Sequence, residues 1–153
     1  MISRHRREIT LRLGEGSRRT LLPREITLRL GEGSRTRRSR VALEDAVDQA
    51  TSARKKAIAL YQLGLFHDNN ARESVAIPLY ERALRAGLEN ALKAQALAWL
   101  ASSLYKTGGL RRALSRLRQA REIAKDRKLL KFLRGLEIRI NRSLGHSSAR
   151  RIS

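Results

Sequence analysis

Side chains able to carry out chemistry are few in this sequence and stand far apart. The three histidines, His5, His67 and His146, are isolated from one another, and there is no cysteine. None of the histidines has metal-ligand spacing with a second histidine or a carboxylate, so neither a metal centre nor a cofactor is expected. Without cysteine there is no thiolate nucleophile and no disulfide framework. His67 reads as a packing or loop-edge residue. Ser102 and Ser103 have no histidine or lysine base at a recognisable spacing. The Gly-Glu-Gly-Ser turns lack both the GxxxxGK[ST] pattern and the strand–loop–helix setting of a phosphate loop. Most carboxylates sit within Lys/Arg-rich segments, where ion pairing is their natural use. An enzyme is therefore not expected, and the chemistry left is binding. Its carriers are the aromatic pair Trp99 and Tyr105 and a run of arginines, of which Arg111, Arg118 and Arg121 share roughly one helix face and could track a phosphate backbone.

Length and charge narrow the choice further. The chain has 153 residues, room for one ordinary domain, and a formal net charge of +20. Residues 1–40 hold 12 Arg, no Lys and 4 Glu; residues 41–105 hold 7 basic and 7 acidic side chains; residues 106–153 hold 15 basic and 3 acidic. A basic arm, a neutral middle and a basic end point to an acidic partner or to well-solvated terminal faces. No apolar run approaches the ~18 residues that would span a membrane.

The arm, 1–40, contains a perfect duplication: REITLRLGEGSR at Arg7 to Arg18 returns at Arg24 to Arg35. Each copy alternates like a strand and stops at a turn, but two strands alone are marginal in water, so the arm is expected to be flexible. The run RTRRSR, Arg35 to Arg40, reads as a solvated tether, with a nucleic-acid tag as the functional alternative.

From Val41 onward the chain is rich in Ala, Leu, Arg, Lys and Glu, all good helix formers. Stop signals fall at Asp68-Asn69-Asn70, Ala86-Gly87, Thr107-Gly108-Gly109, near Asp126 and at Gly145. They predict helices near 42–52 (possibly continuous with the next), 54–68, 72–86, 90–106, 109–125 and 127–144. Pro78 falls inside one of them and should kink it slightly rather than break it.

The helices repeat. Leu60, Leu63, Gly64 and His67 are followed 37 residues later by Leu97, Leu100, Ala101 and Leu104, and 36 residues after that by Leu133, Leu136, Glu137 and Ile140. The second helices share Ala76, Tyr80, Ala83 and Ala113, Leu117, Ala120, and Ala149 would begin a third. This pattern resembles the tetratricopeptide repeat, over roughly residues 54–150. Ala101 replaces the usual Gly and still permits close packing, Glu137 breaks the small-residue rule, and Leu88 stands where a terminal Pro is usual.

The resemblance implies an all-α solenoid of antiparallel helix hairpins, two full repeats plus a terminal helix, in residues 41–153. Gly64, Ala76 and Ala83 would let the paired helices nest, with Tyr80 wedged into the next unit. Leu129, Leu130, Phe132, Leu133, Leu136, Ile140 and Leu144 would cap the core, leaving Lys128, Lys131, Arg134, Arg139 and Arg142 in solvent. The resemblance also implies a concave groove lined by the first helices: Tyr61, Leu65, Asp68 and Asn69 in unit one; Gln95, Trp99, Ser102, Tyr105 and Lys106 in unit two; Lys131, Arg134, Ile138 and Arg142 in unit three. Trp99 suits either an interface anchor or the core between units. A subset of the family clamps a C-terminal carboxylate with Lys and Asn side chains. Here Tyr61, Leu65 and Trp99 occupy those places and only Lys131 fits, so that activity is not expected.

The expected function is non-catalytic protein–protein interaction, a scaffold holding an acidic peptide or protein in the groove, in the cytoplasm. The alternative is non-specific nucleic-acid binding through the arm and the basic C-terminal helices. The duplicated arm and incomplete third unit would also suit a fragment of a longer repeat protein, which could self-associate through Leu129 to Leu144.

Overall fold

The computed structural model describes residues 34–150. Six helices follow one another: α1 (Ser34–Asp48), α2 (Ala53–Asn69), α3 (Glu73–Ala86), α4 (Asn90–Lys106), α5 (Leu110–Ile123) and α6 (Arg127–Ala149). Residues 1–33 of the arm lie outside the described residues, whereas its last seven, Ser34 to Arg40, belong to α1.

The repeat is visible in the helix lengths. Both α2 and α4 have 17 residues, and both α3 and α5 have 14. The starts of α2, α4 and α6 are each 37 residues apart, as are those of α3 and α5. From α2 onward every connection is three residues long (70–72, 87–89, 107–109 and 124–126), short enough to force antiparallel neighbours. Local chemistry sets several of these ends. The Ser52 hydroxyl accepts the Lys55 amide at 3.2 Å to start α2, and the Asp126 carboxylate accepts those of Lys128 and Leu129 to start α6. Gly87 closes α3 at φ 107°, in the left-handed region that glycine enters without steric cost.

Packing follows the chain. The tight pairs are α2 with α3 and α4 with α5; α3 packs on α4, α5 on α6, and the first helices α2, α4 and α6 touch in sequence. The middle of the stack is buried almost all round: α2 hides ten of its residues and α4 nine. By contrast α6 buries one stripe, Leu129, Leu133, Leu136 and Ile140, with Phe132 and Leu144 packed beside it. Lys128, Lys131, Arg134, Arg139 and Arg142 are exposed. That is the one-sided helix expected at the end of a stack.

Gly64 explains how the first pair closes. A Cβ built there would stand 2.8 Å from Cδ1 and Cε1 of Tyr80, closer than side-chain atoms tolerate. So the Tyr80 ring lies against the first helix of its own unit, and its hydroxyl reaches Asp68 at 3.3 Å. At the equivalent place unit two pairs Ala101 with the smaller Leu117, both fully buried. In unit three the helix position is Glu137, which is only half-buried and bonds to Arg121 at 2.6 Å. Among the described residues no second helix follows α6, so nothing there demands a small residue.

The larger boundary differences from the sequence reading fall on α1 and α6. The first helix starts at Ser34 rather than 42, taking in the Arg35–Arg40 run that reads as a tether, and it ends four residues before α2 instead of merging with it. Gly145 does not stop α6, which runs to Ala149; the Ser147 and Ser148 hydroxyls bond back to the carbonyls of Ser143 and Leu144. Pro78 leaves α3 unbroken, as the sequence reading expects; lacking an amide N–H, it cannot donate to the Ser74 carbonyl.

Two substitutions test this packing. Gly64→Ala should lower stability by about 1–3 kcal/mol through overpacking against Tyr80. Gly135→Ala, where an added Cβ meets nothing within 4 Å, should raise it by about 0.5–1 kcal/mol. Urea denaturation of the two variants beside the parent checks both signs.

Candidate functional site

The first helices bring aromatic side chains into a row. Tyr61 on α2 donates to the Gln95 Oε1 atom on α4 at 2.9 Å, and Trp99 Nε1 donates to the Tyr61 hydroxyl at 3.2 Å. On its other side the Trp99 ring meets Phe132 of α6, centroids 4.9 Å apart and planes tilted by 58°. Tyr61 also leans on Tyr80, centroids 6.1 Å apart. Burial drives the Tyr61 phenol far above its ordinary range, even though the Trp99 hydrogen bond pulls the other way. With Trp99 2% exposed and Tyr61 5%, this row is core. It fixes the spacing of α2, α4 and α6.

Below that row lies a buried carboxylate. Asp68, near the end of α2, is 6% exposed. Its Oδ1 accepts from the Ser103 hydroxyl at 3.1 Å and lies 3.6 Å from Lys106 Nζ; its Oδ2 accepts from the Tyr80 hydroxyl at 3.3 Å. Lys106 also reaches Glu73 at 3.2 Å. Three helices, α2, α3 and α4, therefore meet on one carboxylate. Burial raises its pKa above the ordinary 3.8, and Lys106 and Ser103 only partly offset this. The same burial, reinforced by Asp68, lifts the Tyr80 phenol.

The expected groove residues thus divide in two. Tyr61, Leu65, Asp68 and Trp99 are buried. Those that solvent reaches are Asn69, Gln95, Ser102 and Tyr105, all half-buried, and Lys106, Lys131, Arg134, Ile138 and Arg142, all exposed. On this accessible side the Arg139 guanidinium stands over the Tyr105 ring, 5.8 Å from its centroid. The buried half was legible as groove only through the family pattern. What the pattern missed is that Tyr80, Ser103 and Glu73 gather around Asp68. The one signal in the sequence was an acid at Asp68, where the 37-residue repeat places Tyr105 in unit two.

The arginine face of α5 is also divided. Arg111, Arg118 and Arg121 are all exposed, but Arg121 is bonded to Glu137 and the neighbouring Arg112 to Glu81 at 2.7 Å. Richer in cations is α6: Arg127, Lys128, Lys131, Arg134, Arg139 and Arg142 are exposed on a helix whose one carboxylate is Glu137. Among the described residues no His/Cys/Asp/Glu group is placed to hold a metal ion, and no helix is long and apolar enough to cross a membrane. His5 lies outside the described residues. Ser103, one of the two serines considered as nucleophiles, spends its hydroxyl on Asp68.

Helix pairs of constant length, repeated every 37 residues around one continuous core, define a helical-repeat solenoid, a class whose faces serve interaction with other proteins. A family model described as "Tetratrico peptide repeat" matches residues 57–138, more than half of the chain. The chain belongs to the tetratricopeptide repeat family, whose members are typically non-catalytic interaction modules. No curated protein matches it.

Asp68 gives the stack a pH signature. Because its folded pKa lies above 3.8, the folded state holds this proton more tightly than the unfolded chain. The contribution is fully present below the unfolded value and is lost as pH rises through the folded one. Asp68→Asn removes that loss. Relative to the parent, the variant should therefore gain stability as pH rises from the ordinary 3.8 toward the folded-state value, and the gain should level off beyond it. Paired denaturation curves across that range read the difference directly.

Proposed function

We propose that the protein is a scaffold that holds an acidic segment of a partner protein along the α4–α6 side of the stack. The observation that carries this reading is the charge of α6: six exposed cations and a single carboxylate, Glu137, already engaged by Arg121. Beside it, α4 contributes Ser102, Lys106 and the half-buried Tyr105 ring, over which Arg139 stands. The carboxylates nearest Lys106, Asp68 and Glu73, are paired to it, so the surplus positive charge of this side rests on α6. Because α2 buries Tyr61, Leu65 and Asp68, recognition falls to the second half of the expected groove. The chain's own arm does not suit this face, since residues 1–40 carry a net charge of +8.

One observation favours a second reading. The exposed side of α6 offers a single large apolar residue, Ile138, 54% exposed. Protein interfaces usually have an apolar centre, whereas nucleic-acid interfaces are polar and strongly positive. A phosphate backbone lying on α6 is therefore the rival occupant.

Salt separates the two. The full chain is titrated with a fluorescent Glu-rich peptide and with an unrelated DNA duplex, from 50 to 200 mM salt. The scaffold reading expects duplex affinity to collapse, by about a thousandfold or more if six or more phosphates are engaged. Peptide binding, with fewer charges engaged, should fall less steeply with salt and weaken several-fold in Lys131→Glu or Arg142→Glu. Duplex binding that survives 200 mM salt while the peptide dissociates assigns the face to nucleic acid instead.

A further inference from the structure

The joint between α1 and α2 differs from every other joint in the stack. Whereas α2 to α5 each touch at least two other helices, α1 packs on α2 alone. Its apolar contribution is one buried residue, Val47, with Leu43 partly buried beside it. What it covers follows from helix geometry. On α2, Tyr61 faces α4 through Gln95 and Trp99, and Gly64 and Asp68 face Tyr80 of α3. At about 100° per residue, Phe66 points away from both Gly64 and Asp68, and Ala59 points away from Tyr61. Both are nonetheless buried, Phe66 completely, and α1 is the only other helix packed on α2. The Arg72 guanidinium adds a lid over the Phe66 ring, 5.9 Å from its centroid.

Into this seam the sequence places polar groups that the closed arrangement serves badly. His67 is 6% exposed; its ring meets Phe66 edge-on at 5.4 Å, and its Nδ1 has no hydrogen-bond partner among the described residues. From α1, Arg40 brings a buried Nε that likewise makes no hydrogen bond and stands 3.7 Å from Glu44 Oε1. The charged groups that act on His67 are Arg72 from the turn after α2 and Arg40 and Glu44 from α1. Two of the three are cations. A proton on His67, itself nearly cut off from solvent, would add a third positive charge to this seam, with Glu44 opposing it.

We propose that α1 is a latch over the outer side of α2, closed while His67 is neutral and released when mild acid protonates it. Release uncovers Phe66 and Ala59 and frees the basic start of α1 while leaving the stack from α2 to α6 in place. The sign follows from linkage. Burial first, and then Arg72, lowers the His67 pKa in the closed state below its ordinary 6.5. The closed state therefore binds the proton less well than the open state. Closure is at full strength above 6.5 and weakens as pH falls from there toward the closed-state value, by up to about tenfold per pH unit in the opening equilibrium.

Hydrogen exchange on the full chain tests this at pH 7.5 and pH 5.5, with rates corrected for intrinsic exchange. Amides of Val41–Asp48 should lose protection by severalfold, up to about tenfold, while those of α4 stay protected. In His67→Gln the loss should vanish. If that variant folds poorly, Arg40→Gln provides the second reading: with one opposing cation removed, the acid-induced loss should shrink. Equal protection of α1 at both pH values, or an undiminished loss in either variant, overturns the latch.

Discussion

The Tyr80 ring can lie where it does only because Gly64 has no side chain. With the ring seated, α2 and α3 approach to contact distance, and the hydroxyl at its tip arrives at Asp68. That carboxylate would be expensive to bury alone. It is tolerable because Ser103 and Lys106 of the next unit complete its shell. One tight contact inside a unit thus fixes the polar node that joins it to its neighbour. The aromatic row from Tyr61 through Trp99 to Phe132 sets the spacing on the other side of the same helices.

Each later unit relaxes the constraint in a way its packing explains. Unit two pairs Ala101 with Leu117, trading the glycine–tyrosine contact for a smaller one without a polar tip, and no buried acid follows. Unit three has Glu137 at this position, and the described residues place no second helix over α6. The side chain instead bonds to Arg121 at the rim. Among the described residues the small side chain thus goes with a covering second helix.

Two neighbouring groups near the end of α2 carry opposite pH responses. Asp68 holds its proton more tightly in the fold and favours acid; His67 holds its proton less tightly and favours neutrality. They are adjacent in sequence yet face different neighbours. Asp68 lies in the α2–α3–α4 node, and His67 is acted on from the α1 seam. Acid therefore strains the seam while it relieves the node, and local opening of α1 precedes loss of the whole.

The sequence by itself determined the repeat. Spacings of three and four, the Gly64/Ala101 and Ala76/Ala83, Ala113/Ala120 positions, and the stop signals between them are local patterns, and local patterns fix helix existence and order. They located α4 to the residue, and they chose the solvated face of α6 correctly because alternation of Leu with Lys and Arg is a one-helix property. What they could not decide was which side of each first helix ends up covered. Trp99, Tyr61, Leu65 and Asp68 lie on the side the family pattern assigns to an open groove, and only the approach of α4 to α2 and of α6 to α4 closes that side. Nor could they end α1 or α6, whose limits are not marked by a left-handed glycine. Burial is a property of neighbours rather than of a residue, so the tertiary structure alone could assign it.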